Sequence, residues 1–355
     1  MAAFRAEWAT PEYWLSFAPS LHVSSGTILR RGLVPFCTDE APAALRAALA
    51  ADGFFQLAPP EDCGLFDDGG GWGVDVAALG DAVVALGEAG WPPIYVLVYD
   101  EAWVLRGRLA HTLRGAADLA VNFDFAAFHV RSGGNAQTLA AGWAPHRDRD
   151  DAAHVGGAVA DGFDADGAPK CATAWVALSD ATPATSCLYC VPRQRDPGYA
   201  AGDGGRSPLE GCFAAGPASF RHVRALPAPM GGVLAFSHRL LHWGSAPDAG
   251  APPRVAVAFG AGSESSPLAA SAAAAGRPFR DAPGLLAAGC GVAPPLGERV
   301  ALAAAQLLVY ARSADAGIAA DRRRHWACFA RSADAFDAMY ARHCRAEFEL
   351  LGGGG

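Results

Sequence analysis

The chain has almost no lysine: Lys170 is the only one, and the other 27 of its 28 basic residues are arginines. Charged residues of both signs make up 18% of the sequence, which is low beside the roughly 25% of an average soluble protein. Acidic residues outnumber basic ones by 36 to 28, and the net charge is −8. Nucleic-acid binding is therefore not expected, because phosphate recognition calls for a net positive charge or a basic stripe.

Long hydrophobic runs are also missing. The best apolar stretches, Ile94–Tyr99 and Ala301–Ala311, are shorter than the roughly 18–20 continuous apolar residues of a membrane-spanning helix. The N-terminus carries early charges at Arg5 and Glu7 and lacks the basic and apolar regions of a signal peptide. We therefore expect a soluble protein with no membrane partner.

The cysteines do not have the pattern of a disulfide framework. Nine of them are scattered along the chain, an odd number, which favours a reducing, cytoplasmic compartment. Cys187 and Cys190 have CxxC spacing, but they lie in an apolar run typical of a strand, where positions three apart point to opposite faces. A redox or zinc role for this pair is disfavoured.

Three regions of the chain differ in pattern, and we expect them to form one elaborated domain. Residues 1–118 mix irregular stretches with predicted helices, residues 119–262 carry short strands, and residues 263–355 return to helix. In the first region the predicted elements are helices at Ala41–Ala50, at Val76–Leu86 with Asp75 as N-cap and at Glu101–Arg114 with Asp100 as N-cap, and a buried strand at Ile94–Tyr99.

The central region predicts an all-β sandwich or jelly roll, because short apolar runs alternate with Gly/Pro/Asp turns. Two long polar, glycine-rich inserts, Asp150–Lys170 and Arg193–Pro217, interrupt it; loops of this length are usually functional lids or disordered. The predicted strands are Phe123–Val130, Cys171–Leu178, Cys187–Val191, Gly232–Phe236 and Arg254–Phe259.

The same region contains a candidate set of metal ligands. His146 and Asp148 are two residues apart, so on a strand both side chains point to one face. His242 follows the predicted strand at 232–236 and supplies a second imidazole. Two histidines and one carboxylate bind one face of an octahedral metal and leave three positions open, which is the arrangement of Fe(II) oxygenases.

Arginines near these residues are candidates for binding anions. Arg254 opens an otherwise apolar strand, and a guanidinium is costly to bury unless it pairs with an anion. Arg147, Arg149, Arg193 and Arg195 lie beside the metal motif or in the second insert. For each of these four, contact with an acidic substrate group is an open alternative.

Taken together, several of these segments resemble the phytanoyl-CoA dioxygenase family. The resemblance implies a non-haem iron, 2-oxoglutarate-dependent dioxygenase, mainly β with flanking helices, on a cupin-like double-stranded β-helix. It also implies that O2 is used, that 2-oxoglutarate becomes succinate and CO2, and that a small-molecule substrate is hydroxylated, or else desaturated or cyclised. It covers about residues 90–312 and rests on Ala141–Asp148, Thr173–Thr182, Cys187–Pro192, Arg239–Ser245 and Arg254.

Carried over by position, the resemblance implies that His146, Asp148 and His242 bind Fe(II) and carry catalysis. It implies that Arg254 pairs with the distal carboxylate of 2-oxoglutarate, assisted by Ser245. Many family members have Gln or Tyr shortly before the His-x-Asp motif. This chain has Trp143 there, which is either a wall of the cosubstrate pocket or a core residue.

Two alternatives stay open at this point: a catalytically inactive binding or regulatory protein on the same jelly roll, and a cupin-like metalloenzyme that does not use 2-oxoglutarate. A zinc metalloprotease is disfavoured. His238 and His242 have HxxxH spacing, but residue 239 is arginine rather than the required glutamate. The sequence predicts neither the identity of the substrate nor the oligomeric state.

Overall fold

The computed structural model describes residues 4–29, 42–59, 74–132, 143–148, 162–263, 278–280, 292–310 and 321–350. The strands in these ranges are β1 (Ile28–Leu29), β2 (Phe54–Leu57), β3 (Ala120–Val130), β4 (Cys171–Ala177), β5 (Leu188–Val191), β6 (Arg224–Leu226), β7 (Val233–Ser237), β8 (Leu241–Gly244), β9 (Arg254–Gly262) and β10 (Val292–Ala293).

Helices precede, interrupt and follow these strands. None of those in the described ranges is long and apolar enough to cross a membrane. The α-helices are Pro11–Leu15, Pro42–Asp52, Val76–Glu88, Asp100–Ala117, Gly198–Ala201, Pro208–Phe213, Leu296–Val309, Arg322–Ala330 and Ala338–Leu350. The 3-10 helices are Ala6–Ala9, Pro93–Val98, Arg193–Arg195, Pro217–His222 and Ala333–Ala335.

Two antiparallel sheets form the centre of the fold. Five strands hydrogen-bond in the order β2-β7-β4-β9-β3 and three in the order β6-β5-β8, while β1 and β10 form a separate pair. In the larger sheet, Thr173 of β4 lies opposite Phe236 of β7 on one side and Gly260 of β9 on the other. This register places Thr173, Phe236 and Gly260 side by side on three neighbouring strands.

Both faces of the five-stranded sheet are buried, and its side chains alternate between two cores. Val176 and Val257 belong to the core shared with the helices. Trp175 and Ala258, one residue along each strand, belong to a second core that also contains Leu188 of the three-stranded sheet. The second face therefore borders the space between the two sheets.

The expectation of a mainly β chain is wrong: helix accounts for 44% of the described residues and strand for 21%. The helical flanks outweigh the central strands, because long helices pack over one face of the large sheet. The five strands predicted in the central region are confirmed as β3, β4, β5, β7 and β9. Antiparallel sheets with added helices agree with the coarse form of the fold prediction, and the complete double-stranded β-helix stays a prediction.

The apolar run Ile94–Tyr99 was expected to be a strand, and this is also wrong, because it forms the 3-10 helix Pro93–Val98. A continuous apolar run carries no periodicity that separates a buried strand from a buried helix. Pro92 and Pro93 favour the helix, since proline has the φ of a first helical turn and no N–H for a strand ladder. The run is apolar because it is buried on all sides.

Two predicted helix starts have different outcomes. Asp75 caps the helix Val76–Glu88 as expected, and its carboxylate accepts a hydrogen bond from the Ala78 N–H at 2.9 Å. Asp100, by contrast, is the first residue of its helix and makes no capping bond. Its carboxylate instead accepts from Ser24 Oγ at 2.6 Å and from Arg299 at 2.7 Å, so tertiary partners replace the local cap.

The second insert, Arg193–Pro217, is not an irregular loop. It contains the 3-10 helix Arg193–Arg195 and the short helices Gly198–Ala201 and Pro208–Phe213. The last of these contributes Cys212 to a small core with Val191 and Leu241 of the three-stranded sheet. Most of the first insert, Asp150–Lys170, lies outside the described residues.

A buried histidine in the helical region makes the fold sensitive to acid. His325 is fully buried, and its Nδ1 lies 3.0 Å from the Tyr95 hydroxyl. Burial, with a smaller contribution from Arg324, lowers the pKa of His325 from 6.5 to about 3. Below pH 6.5 the unfolded chain therefore binds a proton at this residue that the folded chain does not bind. The free energy of unfolding should therefore decrease as the pH drops from 6.5 toward 3.

We expect His325 to cost the fold about 1.5 kcal/mol of unfolding free energy between pH 6.5 and pH 5. The variant His325→Gln should lack this part of the acid sensitivity, because glutamine does not titrate. Urea denaturation of both proteins at the two pH values measures the difference. His343→Gln changes an exposed histidine and should behave like the wild type. An equal loss of stability in His325→Gln and wild type would contradict the assignment.

Candidate metal centre

His146, Asp148 and His242 converge on one point. One ligand atom from each lies within 4.8 Å of the others. Oδ1 of Asp148 is 3.6 Å from Nε2 of His146 and 3.5 Å from Nε2 of His242. Two imidazole nitrogens and a carboxylate oxygen around a common centre are a ligand set for a divalent transition metal. The structure thus brings together the three ligands predicted from the sequence.

Backbone pairing sets the spacing of the two imidazoles. His146 and His242 form an antiparallel bridge in which each N–H donates to the other residue's carbonyl at 3.0 Å. Their ring centroids are 4.4 Å apart. The His242 ring also contacts Phe236 of β7 at 4.5 Å, which fixes it against the large sheet. The two histidines are therefore held together by the backbone rather than by flexible side chains alone.

Backbone carbonyls also select the tautomer of each imidazole. Nδ1 of His146 lies 2.7 Å from the carbonyl oxygen of Ala144, and Nδ1 of His242 lies 3.0 Å from that of Leu240. Because a carbonyl oxygen only accepts, Nδ1 carries the proton in both rings. In the neutral imidazoles Nε2 is then free to bind a metal, which is the usual role of such outer hydrogen bonds.

Asp148 is oriented by Thr173 of β4. The Thr173 hydroxyl donates to Oδ2 at 2.5 Å and leaves Oδ1 facing the imidazoles. Burial acts to raise the pKa of Asp148, but His242 and His146, with smaller contributions from His238 and Thr173, hold it well below its usual range. Burial acts to lower the pKa of His146, but Asp148 outweighs it and raises that pKa, whereas burial prevails at His242 and lowers its pKa.

Arg254 is buried without an acidic partner among the described residues. It is 1% exposed, and its guanidinium carbon lies 5.8 Å from the ring centre of Phe128 and 5.5 Å from that of Trp175. Its Nε and Nη2 make no hydrogen bond within the described ranges. Burial lowers the pKa of Arg254 from 12.5 to about 10. Since an unpaired buried charge is costly, this position is complementary to an anion.

One face of β4 connects Arg254 with the candidate metal ligands. Thr173, which binds Asp148, and Trp175, which packs on Arg254, are two residues apart, or about 7 Å along the strand. Trp143 makes a second connection, because its ring lies 5.8 Å from that of His146 and 6.2 Å from that of Phe128. The guanidinium and the three ligands therefore border the same space between the sheets.

Beyond Arg254, the residues of β9 on this side of the large sheet are small. Ala256, Ala258 and Gly260 follow one another on the face that carries Arg254, and Gly260 lies opposite Thr173. A Cβ at Gly260 would lie 2.9 Å from Oδ1 of Asn122, which is too close for an unstrained contact. Any larger residue at this position would require the Asn122 side chain to move.

Trp143 and Ser245, the other two residues predicted to bind cosubstrate, lie at the edges of this space. Trp143 is half-buried beside His146, and its Nε1 makes no hydrogen bond with a described residue. Ser245 follows β8, and its Oγ is buried near the Tyr189 hydroxyl, outside hydrogen-bonding geometry. Tyr189 interacts with Cys187, which lies near Arg254. A role in cosubstrate binding stays a prediction for both.

Two of the arginines considered as substrate contacts have partners within the protein instead. The Arg147 side chain is 1% exposed and pairs with two carboxylates of the second insert. Arg193 donates to the carbonyl oxygens of Ala50 and Gly167. Arg195 is exposed, and Arg149 lies outside the described residues.

The contacts of Thr173 with Asp148 and of Arg147 with the second insert were not predicted from the sequence. For Thr173 the available signal was its position two residues before Trp175 on a predicted strand, because residues two apart share a face. For Arg147 the signal was its place between His146 and Asp148, since side chains alternate and the middle residue must point away from the metal.

No protein-family model matches the chain, and no curated protein matches it. Among solved structures, the non-haem α-ketoglutarate-dependent epimerase SnoN from nogalamycin biosynthesis is 20% identical, over 63% of this chain and 83% of its own, with a TM-score of 0.39. EctD from S. alaskensis with bound Fe is 18% identical, over 69% and 88% of the two chains, with a TM-score of 0.43. HygX from Streptomyces hygroscopicus with nickel and 2-oxoglutarate bound is 16% identical, over 65% and 89%, also at 0.43. At this level of similarity the function has to be inferred from the chain's own residues.

Thr173→Val should weaken metal binding, because it removes the hydroxyl that orients Asp148 and nearly keeps the side-chain shape. We expect the dissociation constant for Mn(II) to rise about 10-fold, as is typical when an outer partner of a metal ligand is lost. Titration followed by electron paramagnetic resonance measures it. Thr112→Val removes a buried hydroxyl in the helix Asp100–Ala117 and is the matched control. Wild-type affinity in Thr173→Val would disprove this role.

Proposed function

We propose that the chain is an Fe(II)- and 2-oxoglutarate-dependent dioxygenase that hydroxylates a small molecule. One observation carries the proposal: His146, Asp148 and His242 converge, and the same space is bordered by the guanidinium of Arg254, whose Nε and Nη2 have no hydrogen-bond partner among the described residues. A metal site alone fits many enzymes. 2-Oxoglutarate needs both features, because it chelates a metal through its 2-oxo acid end and carries a second carboxylate at the other end.

Each residue of the site has a definite role in this proposal. His146, Asp148 and His242 hold Fe(II) and leave three coordination positions open. The bound Fe(II), 2-oxoglutarate and O2 together supply the oxidation, in which 2-oxoglutarate becomes succinate and CO2 and one oxygen atom enters the substrate. Arg254 binds the distal carboxylate through Nε and Nη2, with Trp143 and Ser245 at the edges of the cosubstrate pocket.

The aromatic rings around Arg254 strengthen that contact. Phe128 and Trp175 exclude water from the guanidinium, and an ion pair is stronger in such surroundings than in bulk water. An anion at this position would also compensate the cost of burying the charge. A metalloenzyme that does not use 2-oxoglutarate has no need of this feature, so Arg254 favours the dioxygenase over that alternative.

The proposal assigns the reaction to one part of the chain. Residues 119–262 form the catalytic core, and residues 1–118 and 263–355 support it as helical flanks of one domain. The large sheet links these parts, because one of its faces packs on the helices and the other carries Thr173, Trp175 and Arg254.

Asp148→Ala should abolish formation of the Fe(II)·2-oxoglutarate complex, because it removes the single carboxylate of the ligand set. Under anaerobic conditions the wild type should develop a weak visible metal-to-ligand band when Fe(II) and 2-oxoglutarate are added. The variant should develop none. Asp81→Ala, an exposed substitution on the helix Val76–Glu88, should keep the band. An unchanged band in Asp148→Ala would refute the ligand assignment.

Arg254→Ala should weaken 2-oxoglutarate binding about 100-fold, as expected when one partner of a buried charge pair is truncated. Its affinity for Fe(II) alone should stay the same, because Arg254 does not touch the ligands. Titration of the same visible band with 2-oxoglutarate at saturating Fe(II) gives the first value, and competition of Fe(II) against Mn(II), followed by electron paramagnetic resonance, gives the second. The exposed Arg195→Ala is the control. Equal 2-oxoglutarate affinity in Arg254→Ala and wild type would favour a metalloenzyme without this cosubstrate.

A further inference from the structure

The residue between the two ligands of the His-x-Asp motif enters a buried cluster of charges. Arg147 donates to both carboxylate oxygens of Asp196, at 2.6 and 2.9 Å, and to both of Asp203, at 2.7 and 2.8 Å. It also donates to the carbonyl oxygen of Arg239 at 2.5 Å. A guanidinium has five N–H groups. All five therefore have an acceptor in this cluster, which we call the Arg147 clamp.

The Arg147 clamp joins three segments of the chain. Its first segment carries His146 and Asp148. Its second is the turn before β8, reached through the carbonyl of Arg239, three residues before His242. Its third is the second insert, reached through Asp196 and Asp203. The Arg239 guanidinium donates to carbonyls of the same insert, at Gly198 and Tyr199, so both ligand-bearing segments are fixed to it.

The clamp is packed too tightly to admit a side chain at Gly198. A Cβ there would lie 2.1 Å from Oδ1 of Asp203 and 2.7 Å from Nη2 of Arg147. The Gly198 N–H donates to Oδ1 of Asp196 at 3.0 Å. Glycine is required here by the close approach of the ion pair, and alanine would push the carboxylate of Asp203 off the guanidinium.

We propose that Arg147 is a positioning residue for the metal centre. Side chains alternate along an extended chain, so holding Arg147 on one side fixes the direction of His146 and Asp148 on the other. A buried ion pair contributes little net stability compared with an apolar replacement, but its bidentate geometry fixes orientation. The proposal rests on the metal site of the proposed function, and it adds that the second insert takes part in shaping that site.

The test compares binding of Co(II) alone to the full chain and three clamp variants, Arg147→Lys, Asp203→Asn and Gly198→Ala. Visible absorption reports both the dissociation constant and, through the d–d bands, the ligand geometry. We expect a 10- to 100-fold weaker affinity and altered bands in each variant. Arg299→Lys is the matched control, because Arg299 is also fully buried and pairs with Asp100 at 2.7 Å in the helical part of the fold. It should lose thermal stability and keep Co(II) affinity within twofold.

The outcomes separate the two proposals. Wild-type affinity and bands in the clamp variants, with lowered melting temperatures, would mean that the clamp only stabilises the fold. Failure of the wild type to bind Co(II) would overturn the metal site itself, and the clamp's role with it. Should Arg147→Lys not fold, Asp203→Asn carries the test, because its carboxylate lies at the 13% exposed edge of the cluster and Asp196 still pairs with Arg147.

Discussion

The pair of backbone hydrogen bonds between His146 and His242 is the contact on which the site depends. It joins the backbone at His146 to the edge strand of the three-stranded sheet, and the two imidazole rings lie 4.4 Å apart. The other contacts in the site orient the side chains around it. Carbonyls turn each Nε2 inward, Thr173 turns the Asp148 carboxylate, and the Arg147 clamp fixes the opposite side of the His146–Asp148 segment. A metal centre formed by His146, Asp148 and His242 would be largely organised before any ion binds.

Buried arginines in this chain are best distinguished by their partners. Arg147 has two carboxylates and a carbonyl, and Arg299 has Asp100 and the carbonyl of Val98. Arg254 is as deeply buried as either but has no acidic partner in the part of the chain that the structure describes. The first two arginines each have an acidic partner within the protein. Arg254 has none among the described residues, and this difference is the reason for proposing that it binds the carboxylate of a cosubstrate.

The parts of the fold that follow from local pattern could be predicted, and the rest could not. Alternation predicted that His146 and Asp148 share a face, and the apolar runs predicted β4, β7 and β9. The prediction of a strand at residues 94–99 was wrong, because these residues are apolar through burial on all sides and show no alternation of apolar and polar positions. The clamp could not be predicted, since Arg147 meets Asp196 and Asp203 across 49 and 56 residues. Such pairings depend on tertiary structure that no local signal contains.

The helical flanks that made the chain less β-rich than expected also govern the site. On β4, Ala172, Ala174 and Val176 pack against the core shared with the helices, while Thr173 and Trp175 alternate onto the other face. A slip of one residue would reverse every side chain of the strand, taking Thr173 from Asp148 and Trp175 from Arg254. The apolar contact with the helices makes that slip costly. Packing on the far side of the sheet thereby keeps the distance between the metal ligands and the anion site fixed.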